Sequence, residues 1–165
     1  MAAANTYTQI ASTTLGSATA SVTFSSIAGT YTDLVLVINA GNSSGSVADT
    51  YMRLNSDSAS NYSSTYMYGN GTSAASGRNS SQVWASAGYP LEATLISTLI
   101  SHFQNYANTT TNKTILTRGN GTTTMVHSMV SLWRSTAAIS TIYLQPSSGN
   151  FLSGSTFNLY GITAA

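Results

Sequence analysis

Apolar and polar residues alternate along this chain in short runs separated by Gly-, Asn- and Ser-rich stretches, the period of β-strands that bury one face. "SVTFSSI" places Val22, Phe24 and Ile27 on one side and stops at Gly29. "TDLVLVINA" follows, apolar at every position from Leu34 to Ile38, so this strand is expected to be covered on both faces. "TYMRLNS" alternates again, with Tyr51 and Arg53 opposed to Met52 and Leu54. In the closing "STFNLYGI", Phe157, Leu159 and Gly161 alternate with Asn158, Tyr160 and Ile162, which makes a strand with two unlike faces.

Between these runs the pattern is weaker. "NYSSTYMYGNG" is aromatic-rich and ends in a turn signal at Gly69-Asn70-Gly71, and a second Gly-Asn-Gly turn stands at 119–121. "TSAASGRNSSQ" has almost nothing to bury and reads as a surface loop. "VWASAGYPLE" reads as irregular, with Trp84 an anchor and Pro90 a breaker. Leu91, Leu95 and Leu99 recur at helical spacing, so a short helical turn is expected at 90–94, followed by a strand over 95–106. "TTTMVHSMVSLWRS" and "AAISTIYLQP" read as long strands. The total is about eight or nine strands without a long helix, an all-β sandwich or jelly roll rather than a barrel around a ligand. The expected organisation is a single domain over 1–165, with residues 1–10 an extended N-terminal arm.

Composition sharpens this picture. Only 5% of residues are charged, against roughly a quarter in ordinary proteins, and about a third are Ser or Thr. Hydroxyls and amides therefore carry solubility, and weak long-range repulsion permits dense packing beside copies or partners. A net charge of +1 supplies no basic stripe for nucleic acid, so no nucleic-acid partner is expected. With no cysteine, neither a disulfide framework nor a thiolate metal site can form. "MAAANTYTQI" lacks the basic start and apolar core of a signal peptide, and no apolar run reaches membrane-spanning length. Synthesis in a cytoplasm and no membrane partner are the expectations.

Candidate chemistry is thin. "GNSSG", Gly41 to Gly45, matches the G-x-S-x-G nucleophile elbow around Ser43, with Asp49 or Asp57 and then His102 or His127 in triad order. The elbow needs a strand-to-helix turn, whereas "SVADTYMRLNS" continues as loop and strand. His102 and His127 each stand in a strand without a carboxylate near in sequence, and two isolated imidazoles fall short of a zinc site. "NSDSASN", Asn55 to Asn61, offers one carboxylate, too few for a tight calcium loop. No catalytic, metal-binding or cofactor-binding residue is assigned, and a non-enzymatic role is expected. Tyr62, Tyr66, Tyr68, Trp84 and Tyr89 cluster around Gly- and Ser-rich segments, a composition shared by paratopes and sugar-binding surfaces. For any individual Tyr, partial burial with its hydroxyl satisfied locally is the expected role, because large aromatics usually dominate cores.

From Tyr7 to Ile162 the order of features resembles a group of small virion-associated proteins of tailed bacteriophages. The resemblance rests on "YTQIASTTLGSATASVTFSSIAGTYTDLVLVINA", "MRLNSDSASNYSSTYMYGNGTSA" and "NYANTTTNKTILTRGNG", and most specifically on "LWRSTAAIS" and "GSTFNLYGI". It implies an antiparallel β-sandwich of jelly-roll type and a structural place in a phage particle. No catalytic residues belong to the pattern. The absence of a long fibrous region favours a capsid decoration, or cement, subunit on the virion surface. Its partners would be the major capsid protein and copies of itself, most simply in trimers. The alternative is a tail-associated receptor-binding or fibre-tip domain recognising host glycans. The contact residues expected for a subunit interface are Val35, Val37, Tyr160, Ile162, Tyr7 and Ile10.

Overall fold

The structure is a computed structural model that describes residues 6–121 and 125–163. Those residues form twelve β-strands, all paired antiparallel, with no helix. In chain order they are β1 (Tyr7–Thr14), β2 (Val22–Phe24), β3 (Asp33–Ala40), β4 (Ala48–Leu54), β5 (Tyr62–Gly69) and β6 (Ala74–Gln82). Then come β7 (Ala85–Leu91), β8 (Ser97–Phe103), β9 (Lys113–Asn120), β10 (Val126–Trp133), β11 (Ile142–Pro146) and β12 (Thr156–Ile162).

An eight-stranded sheet runs β1-β12-β3-β8-β9-β10-β5-β6, and a four-stranded sheet runs β2-β11-β4-β7. Within these orders lies a jelly roll. Its eight strands are β1, β2, β3, β4, β7, β8, β11 and β12, which interleave as β1-β12-β3-β8 facing β2-β11-β4-β7. The other four strands arrive as two inserted pairs, β5–β6 between β4 and β7, and β9–β10 between β8 and β11. Both insertions extend the same sheet and give it a wing, β9-β10-β5-β6, that the smaller sheet does not match. The expected count of eight or nine strands is therefore corrected to twelve.

The core sits between the sheets and follows the predicted alternation. Leu34, Leu36 and Ile38 of β3, Met52 and Leu54 of β4, and Phe157 and Leu159 of β12 are fully buried. Val22, Phe24 and Ile27 also point into this layer. Gly161 continues the inward row of β12 because the Tyr31 ring lies where a side chain would be. Burying one such aliphatic or aromatic side chain contributes about 1.5–3 kcal/mol.

Three local expectations are corrected. "TSAASGRNSSQ" is not a loop: Ala74–Gln82 is β6, an edge strand held to β5 by backbone bonds, which burial-based reasoning cannot see. Ala85–Leu91 is a strand, β7, although it contains Pro90 after a cis peptide bond. It forms one edge of the small sheet, where a missing N–H is tolerated. The helical turn at 90–94 is replaced by the end of β7 and a link in which the Glu92 N–H donates to Ser97 Oγ and the Asn42 N–H to the Glu92 carbonyl.

β7 lies across the inner face of β8, β9 and β10. The approach is close: a Cβ on Gly119 would stand 2.5 Å from the Tyr89 carbonyl oxygen. The large sheet accordingly presents small polar residues there, Ser101, Thr117 and Ser131, all fully buried. Ser101 Oγ donates to the Ala87 carbonyl at 3.0 Å and Ser131 Oγ to the Ser86 carbonyl at 3.4 Å. These bonds give the buried hydroxyls partners on the β7 backbone.

Candidate functional site

Two surfaces stand out, one apolar and one concave. The first is the outer face of the eight-stranded sheet, over which no further layer packs among the described residues. Register sets its rows. One runs Tyr160, Val35, His102, Leu116, Val130 and Thr65 across six strands, and the next runs Asn158, Val37, Ile100, Arg118, Ser128 and Met67. Leu116 and Val130 are cross-strand partners that remain 49% and 44% exposed. Met67 at 61% and Val126 at 63% continue the aliphatic surface.

The predicted contact residues fall mainly here. Tyr160, Val37 and Ile162 are half-buried on this face, and Tyr7 is exposed at its edge, its ring edge-on to Tyr160 at 6.4 Å. Val35 is buried, but by neighbours within the face rather than by the double cover the run Leu34–Ile38 predicts; its cross-strand partners are Tyr160 and His102. Ile10, at a bulge in β1, packs against the core instead. Residues Tyr7–Ile10 of the expected arm are thus part of an edge strand, while residues 1–5 lie outside the described residues. His102 gains the carboxylate its sequence context lacks: Asp33, across the strand pair, stands 3.0 Å from its Nε2.

The second surface is a cleft of about 370 Å³ between the wing and the edge of the small sheet. Its floor is the inner face of the wing: Ser64, Tyr66 and Tyr68 from β5, Asn79 from β6, and His127 and Met129 from β10. Its wall is Asp49 and Tyr51 from β4, Gln82 and Trp84, and Ser86 and Tyr89 from β7. The mismatch between eight strands and four produces it, because β7 covers only part of the wing.

Aromatic contacts hold the cleft's shape. Trp84 stacks on Tyr51 at 5.6 Å and on Tyr143 at 6.2 Å, and the Arg53 guanidinium lies 3.4 Å from the centroid of its ring. It is the anchor the sequence predicts. Tyr66 stacks on His127 at 5.5 Å, and Tyr89 meets His127 edge-on at 5.7 Å. Of the five clustered rings, the structure brings four around this cleft. Tyr62 goes to the core, where it stacks on Trp133 and its hydroxyl donates to the Asp57 carbonyl at 3.2 Å.

Two polar groups in the cleft carry signs of enclosure. Desolvation pushes the Asp49 carboxyl up to about 6, although it accepts hydrogen bonds from Ser86 Oγ and the Thr50 N–H. His127 is 6% exposed, its Nδ1 has no hydrogen-bond partner among the described residues, and burial lowers its pKa. Sequence spacing offers no sign of this pairing in one cleft, since 78 positions separate them and polar residues in "VHSMVSLW" read as the solvent side.

The remaining sequence candidates disperse. Ser43 Oγ accepts from the Asn150 N–H at 3.0 Å, and no contact joins Ser43 to an imidazole among the described residues. Asp57 is occupied as a structural acceptor, taking the Ala59 N–H, Asn61 Nδ2–H and Trp133 Nε1–H at 2.7–2.9 Å. No group of three or more His, Asp and Glu side chains is gathered among the described residues. No protein-family model matches the chain, and no curated protein matches it.

Proposed function

We propose that this chain is a capsid decoration subunit of a tailed bacteriophage, binding the assembled head and tying neighbouring major capsid subunits together. The observation that carries the reading is the outer face of the eight-stranded sheet, where Leu116, Val130, Met67 and Val126 form an aliphatic surface on a protein with few charges. Large exposed apolar surfaces mark interaction sites. The resemblance to small virion proteins supports the same reading, as does a jelly roll whose larger sheet has no layer over its outer face among the described residues. Each copy contributes little, but any ligand that binds only the native lattice stabilises it by mass action. Trimers at symmetry axes would multiply weak contacts through avidity.

A symmetry-imposed reconstruction of the particle tests this directly. The expected result is density for the chain repeated over the head, with β9 and β10 against capsid subunits. Density confined to the tail in few copies would overturn it and favour the receptor-binding alternative. A double variant, Leu116→Asp with Val130→Lys, is expected to stay folded at a cost of about 1–2 kcal/mol, since each side chain is about half exposed, and to lose binding to undecorated heads.

A further inference from the structure

We propose that the cleft between β7 and the wing is a binding site for an uncharged saccharide. This inference does not depend on where in a particle the subunit sits.

The cleft's chemistry narrows the ligand. Its volume, about 370 Å³, suits one or two sugar rings and falls within the range of small-ligand pockets. Its lining interleaves aromatic rings with Ser64, Asn79, Gln82 and Ser86, the pairing of apolar platforms and amide or hydroxyl partners that a sugar's C–H faces and hydroxyls require. An anionic ligand is disfavoured, because no Lys or Arg lines the cleft among the described residues and Arg53 is spent on the Trp84 ring. A quaternary-ammonium cage needs several open ring faces around one point. Here Trp84 is stacked on Tyr51 and capped by Arg53, and Tyr66 is stacked on His127. Tyr68 makes no ring contact among the described residues, so no other ring competes with a sugar for its faces.

A second, independent observation points to a ligand. Buried polar groups in proteins are nearly always hydrogen-bonded. His127, in the cleft floor, is 6% exposed and its Nδ1 has no partner among the described residues, whereas Ser101 and Ser131 beneath β7 donate to the carbonyls of that strand. That nitrogen is closed to solvent in this conformation, so a ligand hydroxyl becomes its partner once the imidazole turns toward the cleft. Asp49, opposite, has an acceptor carboxylate already ordered by Ser86 and suited to a second hydroxyl.

The test is saturation-transfer NMR and calorimetry of the full chain against neutral gluco-, galacto-, manno- and N-acetylglucosamine oligosaccharides, with choline and a sulfated disaccharide as charged comparators. At least one neutral sugar is expected to bind with a Kd on the order of 1 mM. Tyr68→Ala and Gln82→Ala should each weaken it about tenfold or more, while Tyr7→Ala, on the outer face, leaves it unchanged. Two results would overturn the proposal. One is no neutral sugar bound at concentrations well above that value; the other is binding that survives both cleft variants. Choline or the sulfated sugar binding in place of neutral sugars would reject it in favour of a charged ligand.

Discussion

Asp49→Asn turns the enclosure of the cleft carboxylate into a measurable pH dependence. In the folded protein desolvation raises this carboxyl from 3.8 to about 6. Below about pH 4 the group is protonated in both states and contributes no difference. Between about pH 4 and about pH 6 the unfolded chain ionises while the native state holds its proton, so wild-type stability falls as pH rises through that window and then levels off. A shift of about two units corresponds to roughly 3 kcal/mol at about 1.36 kcal/mol per unit. The amide introduced by the substitution keeps an oxygen that can accept from Ser86 Oγ but has no charge to desolvate. His127, which shares the cleft, works in the opposite direction: its lowered pKa means stability is lost as pH falls below about 6.5. Both proteins carry His127, so the difference between them isolates Asp49. Urea unfolding followed by the fluorescence of Trp84 and Trp133 supplies the two curves. The stability of Asp49→Asn relative to wild type is expected to rise by on the order of 3 kcal/mol between about pH 4 and about pH 7.5. A difference that stays constant across that range would refute the claim that this carboxylate is desolvated in the fold.

Gly161→Ala places a methyl against the Tyr31 ring and is expected to cost about 1–3 kcal/mol. The same change in a Tyr31→Ala background should cost less, and a double-mutant cycle with no coupling would show that the ring is not the obstacle. Trp133→Phe keeps the stack on Tyr62 but removes the 2.7 Å bond to Asp57, with an expected loss of about 1.5–3 kcal/mol in thermal or urea unfolding. At Asp57 burial opposes the charge, but donors from Asn61, Trp133 and Ala59, with Arg53 nearby, outweigh it and hold the carboxyl below its usual range. Stability from this group is present above the ordinary carboxylate pKa and lost as pH falls through the lowered one. Removing a donor should therefore move the acid-unfolding midpoint to higher pH.

Alternation made the jelly-roll core legible wherever one face was plainly apolar, as in β2, β4 and β12. It failed where a strand's partner is backbone rather than side chain. β6 buries almost nothing and is a strand only because β5 offers it hydrogen bonds. β10 shows the deeper difficulty. In "VHSMVSLW" the buried residues are His127, Met129, Ser131 and Trp133, while Val126 and Val130 face outward. The polar residues are inside because β7 passes too close for large side chains and the cleft lies beyond it. The candidate site was half visible: its tyrosines and Trp84 cluster in sequence, but Asp49 comes from β4 of the jelly roll and His127 from the second insertion, and only the fold brings them to one cleft. The outer face was approached from Tyr7, Val35, Val37, Tyr160 and Ile162, and its most exposed aliphatics, on β5, β9 and β10, were missed for the same reason.

The interleaved strand order also constrains how the protein comes into being on the ribosome. β11 lies between β2 and β4, and β12 between β1 and β3, so the last two strands are inserted into slots rather than added at an edge. While they are still being made, β3 can pair with β8 and β4 with β7, but β1 and β2 have no partner at all. At ~5–20 residues per second the first strand waits on the order of ten seconds for the last. Cooperativity thus arrives late, when two short segments close both sheets at once. Until then the nascent chain depends on its hydroxyl- and amide-rich composition to keep two open slots from capturing strands of a neighbour.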